Sequence, residues 1–115
     1  MPDELKSQSN DGASPFDLTV LVAQTGGDET LQRQILGLFL RQIPQEIARL
    51  QRSPSDMHSD IIHRIIGTAR AVGADLLAKT AETRESPSGT RHDRIAAIEA
   101  AFAVTRSHII DYLAD

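Results

Sequence analysis

Apolar residues return along this chain in steps of three and four and nowhere alternate, a pattern that predicts helices and no strands. The longest run is Leu31, Ile35, Leu38, Phe39, Ile43, Ile47 and Leu50. Asp28 and Glu29 precede it, acids at the positive end of the predicted helix, and Ser53-Pro54 closes it. Pro44 falls inside, yet the repeat resumes in phase, so one long helix is expected, kinked or short of one hydrogen bond. Upstream, Ser14-Pro15 reads as a cap and first helical residue for a short helix through Phe16, Leu18, Val20, Leu21 and Val22, stopped by Gly26-Gly27. Downstream, Ser55 is expected to cap a third helix, with Asp56 in its first turn, running to Val72 or Gly73. A fourth begins near Ala74 and carries Leu76, Leu77 and Ala81 towards Glu85. Ser86-Pro87-Ser88-Gly89 reads as a loop, and a last helix is expected from about Thr90 to Leu113 with Ile95, Ile98, Phe102, Ile109 and Leu113 on one stripe. The expected architecture is all-α: an antiparallel four-helix bundle with a short additional N-terminal helix laid across one end. Residues 1–13, rich in Ser, Asn, Asp and Gly, read as a flexible leader, and 14–115 as the bundle domain.

Composition narrows what such a bundle does. With 115 residues there is room for one core, and with 3% aromatics that core must be built from Leu, Ile, Val and Ala. The absence of cysteine removes disulfides and thiolate metal ligation. Acids outnumber bases 16 to 12, so the basic face of a nucleic-acid binder is missing. The longest apolar stretches, such as Ile35 to Leu40, are broken within a few residues, so no membrane span is expected. Met1 to Gly12 is polar and acidic, without the apolar stretch of a signal peptide, and the expected location is the cytosol.

The third helix holds the candidate chemistry. At about 100° per residue, Ile61, Ile65 and Val72 fall opposite His63, flanked by Ile62 and Ala69. His63 therefore points to solvent, and the choice lies between a plain solvated side chain and a reactive imidazole. Gly67 lies one turn further on the same face, where a mid-helix glycine costs about 0.5–1 kcal/mol relative to alanine. Its use there is clearance: another protein's backbone can approach the imidazole. Arg70 lies one turn beyond Gly67, placed to neutralise a phosphoryl group.

Residues His63-Arg64-Ile65-Ile66-Gly67-Thr68-Ala69, followed by Gly73-Ala74, resemble the signature of the histidine-containing phosphotransfer domains. That signature is His, any residue, Leu, Lys, Gly, Ser or Thr, a small residue, then Gly-Ala. The resemblance extends from Phe16 onward: Phe16-Asp17-Leu18, Gly26-Gly27-Asp28, Phe39, Pro44 and Leu77 fall where the family places similar residues. It implies that His63 accepts a phosphoryl group from a receiver-domain aspartate and passes it to another receiver. It also implies response-regulator receivers and a hybrid sensor histidine kinase as partners, a monomer, and no cofactor or metal bound by this chain, Mg²⁺ being supplied by the receiver. Phosphoryl transfer asks for alignment and charge neutralisation, and a histidine ring is neutral and nucleophilic near neutral pH. The chain departs from the signature at Ile66, where the family has Lys. Arg70 or Arg64 would substitute, Arg70 being better placed by rotation; otherwise transfer is slow or phosphohistidine less well held. Ile66 would in turn add apolar surface for receiver docking.

Other candidates are weaker. His58 lies five residues before His63 and off its face, so the i, i+4 metal pair is absent; His92 and His108 read as surface residues. Asp56, Asp60 and the run Glu82, Arg84, Glu85 read as solvated charge. Two rival functions stand beside the phosphocarrier. One is a docking bundle that binds a receiver or kinase without carrying phosphate. The other is a helix-turn-helix DNA binder with Ala71 to Ala74 as its turn, disfavoured because Asp75, Glu82 and Glu85 outweigh Lys79 and Arg84 on the recognition helix.

Overall fold

The computed structural model describes residues 13–83 and 90–114, with Ser55 by its backbone alone. The described chain is all-α: α1 Leu18–Thr25, α2 Glu29–Arg52, a 3-10 turn Ser55–Met57, α3 His58–Val72, α4 Asp75–Glu82 and α5 Arg91–Ala114. Most of the proposed leader, Glu85 and the Ser86–Gly89 loop lie outside the described residues, and the fourth helix ends at Glu82, capped at Thr83, short of the Glu85 expected from the sequence. No helix among the described residues is long and apolar enough to cross a membrane.

Two helix starts differ from the sequence reading. Helix α1 begins at Leu18 rather than Pro15, because Asp17 is its cap: the carboxylate accepts from the Thr19 amide at 3.0 Å. Residues 14–17 are used otherwise. The Asp17 amide donates to the Gly73 carbonyl and the Leu76 amide to the Ser14 carbonyl, both at 2.8 Å, tying this segment to the α3–α4 turn. Helix α3 begins at His58, after the 3-10 turn, instead of being capped at Ser55.

Helix α2 runs unbroken through Pro44. The proline has no N–H for the Leu40 carbonyl, a loss tolerated inside a helix held by its packing. Asp28 caps it by accepting from the Leu31 amide at 3.0 Å. Its buried face is Gln32, Leu36, Phe39, Ile43, Ile47 and Leu50. In the first half this stripe is rotated from the predicted one: Leu31 and Leu38 are exposed, while Leu36 is buried completely. Gln32 belongs to it because its amide is satisfied there, donating to Thr25 Oγ1 and accepting from the Tyr112 hydroxyl.

Helix α3 packs against α1, α2 and α4, and α5 packs on both α2 and α4. Ile61, Ile62, Ile65, Ala69 and Val72 of α3 join Leu77, Ala78 and Ala81 of α4 and Ile95, Ile98, Phe102 and Ile109 of α5 in one core. The α3–α4 turn is a Schellman closure: the Ala74 amide donates to the Ala69 carbonyl at 2.8 Å and the Gly73 amide to the Arg70 carbonyl at 3.3 Å. Gly73 sits there at φ +83°, and a Cβ on it would lie 2.2 Å from the Asp17 carbonyl oxygen.

Candidate functional site

The alternation of buried and exposed positions along α3 gives His63 its setting. Ile61, Ile62 and Ile65 anchor the helix in the core, and the exposed residues His63, Arg64, Gly67 and Arg70 lie on the other side. No hydrogen bond or ion pair holds the His63 ring among the described residues. Ile66 and Thr68 are half-buried, and Ile66 packs on the rim of the core.

Gly67 is not required by the fold itself. A Cβ there would meet nothing within 4 Å, and the backbone is ordinary helix. Gly67→Ala is therefore expected to stabilise the fold by about 0.5–1 kcal/mol through helix propensity. The same methyl stands in the approach to the imidazole, so transfer from a receiver is expected to slow while the urea midpoint rises. If transfer is unchanged, Gly67 has no clearance role.

Both arginines nominated to replace the missing lysine are engaged. Arg64 Nε donates to Glu46 Oε2 at 3.1 Å, bridging α3 to α2, and Arg49 Nη1 lies 3.7 Å from the other carboxylate oxygen. The Arg70 guanidinium pairs with the Glu82 carboxylate at the end of α4. Glu82 is thus an ion-pair partner, where the sequence suggested a solvated charge. Arg70 also acts on Asp75: burial pushes that carboxyl up, the Asp17 charge adds to the rise, and Lys79 and Arg70 oppose it.

Between α3 and the facing ends of α4 and α5 lies a groove of about 770 Å³, bordered by His63, Ile66, Gly67, Arg70, Glu82 and Arg94 and also lined by His58. The His58 ring is buried and its Nε2 lies 3.3 Å from the Ser53 carbonyl, a contact that fixes the α2–α3 connection. His92, His108, Asp56 and Asp60 are exposed and lie outside the groove. Among the described residues no three His, Asp or Glu side chains converge as a metal site.

Arg94 is the member that sequence reading missed. It is half-buried in the first turn of α5, its Nη2 donates to the Ala81 carbonyl at 3.0 Å, and its buried Nε has no partner. The signal was present: Arg94, Ile98 and Phe102 follow one another at four-residue steps, so the arginine stands in register with the buried stripe.

Comparison with protein-family models, with curated proteins and with solved structures found no match to this chain.

Proposed function

We propose that this chain is a histidine phosphotransfer module of a two-component phosphorelay, working in the cytosol. In this reading α2–α5 form an antiparallel four-helix bundle with α1 across one end. The bundle serves as a rigid mount for one nucleophile, the His63 imidazole. The observation that carries the reading is the exposed ring of His63 beside the unfilled space over Gly67, on a helix whose opposite face is fully buried.

The chemistry needs little more from this chain. The Nε2 lone pair attacks the phosphorus of a receiver's aspartyl phosphate; the P–N bond forms as the P–O bond breaks, and the aspartate leaves as a carboxylate. The imidazolium then releases its Nδ1 proton to water. The reverse sequence delivers the group to a second receiver. Mg²⁺ and most catalytic groups belong to the receiver, and this chain supplies a positioned nucleophile. The exposed rim of Ile66 offers apolar contact to the docking partner. The test is incubation with phosphorylated receiver domains: the chain acquires label that is lost in acid and kept in alkali. Label stable in acid, or none from any receiver, rejects the reading.

One observation favours a second reading, docking without transfer. Position 66 carries no ammonium, and Arg64 and Arg70 are both spoken for by carboxylates. Ile66→Lys separates the two. For a phosphocarrier, restoring a cation beside His63 is expected to raise the transfer rate about fivefold, the size of one half-exposed ion pair. A docking-only module gains nothing from the change.

A further inference from the structure

Three charged side chains, Arg70, Glu82 and Arg94, border the groove beside His63. Glu82 ends α4, Arg70 reaches it from α3, and Arg94 reaches the carbonyl of the adjacent Ala81 from α5. Arg70 thus pairs with the one carboxylate while Arg94 meets only a backbone carbonyl, so the three side chains together carry one positive charge in excess; His58 and His63 are the other titratable groups on the groove. Arg94 is the less satisfied of the pair. It has no carboxylate partner among the described residues, its one described hydrogen bond is to a neutral carbonyl, and its Nε is buried without an acceptor. A buried, unpaired N–H on a charged group is costly and calls for an acceptor the resting chain does not provide. Phosphoryl oxygens are strong acceptors and match guanidinium geometry.

We infer that the groove is a phosphoryl-binding subsite in which Arg94 and Arg70 hold the group carried by His63, with Glu82 as the resident anion that the phosphoryl group displaces from Arg70. This rests on His63 as the phosphoryl-bearing atom and assigns the missing cation of position 66 to another helix. Glu82 occupies Arg70 in the resting state and, by its negative charge, opposes the incoming dianion. Displacing Glu82 releases the end of α4, so phosphorylation also alters the rim that a receiver would meet.

The inference is testable without any receiver. Phosphoramidate, a small P–N donor, phosphorylates exposed imidazoles: the P–N bond to the ring forms, that to ammonia breaks, and the ring proton leaves with ammonia. His63, His92 and His108 are all exposed, so the last two serve as references, assigned by His→Gln replacement. The readout is the second ionisation of each phosphoryl group, followed by phosphorus NMR against pH. Neighbouring cations favour the dianion, so the group on His63 is expected to ionise about half a unit below the references, as suits a half-exposed ion pair. Arg94→Gln is expected to erase most of that difference, Arg94→Lys to preserve it, and Glu82→Gln to enlarge it. Arg94→Lys separates loss of charge from damage to packing. A His63 group that titrates with the references and ignores all three substitutions overturns the inference. So does failure of His63 to be phosphorylated while His92 and His108 are. Failure of receiver transfer with the ionisation difference intact would instead reject the relay and leave the subsite standing.

Discussion

His63→Gln is expected to reduce receiver-dependent phosphorylation to background while leaving the fold unchanged. The two halves of this expectation have separate physical origins. Loss of label follows because glutamine has no nucleophilic ring nitrogen, and no other histidine combines exposure with a position on the groove: His58 is buried, and His92 and His108 lie elsewhere. Retention of the fold follows because the His63 ring faces solvent and makes no hydrogen bond among the described residues. Its replacement should therefore alter unfolding free energy by no more than about 0.5 kcal/mol. Phosphorylation by receivers and denaturant unfolding, measured on the same preparation, check both halves. Residual acid-labile label at wild-type level would move the acceptor to another residue.

Gly73→Ala is expected to destabilise the protein by about 2–4 kcal/mol, since of the described glycines it alone would set a Cβ against backbone. Gly73 sits at φ +83°, a conformation costing a residue with a Cβ roughly 1–2 kcal/mol. The Cβ would also lie 2.2 Å from the Asp17 carbonyl oxygen, so the segment tied down by the Asp17–Gly73 and Ser14–Leu76 hydrogen bonds must move away. Gly67→Ala, the same chemical change within the helix that Gly73 terminates, is expected to have the opposite sign. Urea unfolding of the two variants checks the pair. A Gly73→Ala midpoint equal to wild type would mean that the N-terminal segment contributes nothing to the α3–α4 turn.

Helix existence and the orientation of α3 were legible in the sequence because both follow from periodicity alone. Ile61, Ile65, Ala69 and Val72 are buried, and His63, Gly67 and Arg70 are exposed, as their angular positions require. What periodicity misjudged was set by partners distant in sequence. Leu31 and Leu38 satisfied the repeat in α2 but are exposed, because Gln32 finds Thr25 and Tyr112 and turns Leu36 inward instead. The first helix began later than Ser14-Pro15 suggested because residues 14–17 hydrogen-bond to a turn nearly sixty residues away. At the site, His63, Gly67, Ile66 and Arg70 share one helix and were visible together, as was Arg64, which points instead to Glu46. Glu82 and Arg94 come from other helices, and only the packing of α4 and α5 against α3 brings them to the groove.

The most direct test of the central claim is phosphorus NMR of this chain mixed with a phosphorylated receiver. If His63 is the acceptor, the receiver's acyl-phosphate signal falls as a phosphoramidate signal rises in equal amount, and the His63 ring protons shift with it. If the acyl phosphate decays only to inorganic phosphate while the receiver stays bound, the chain docks without carrying the group and the claim is wrong.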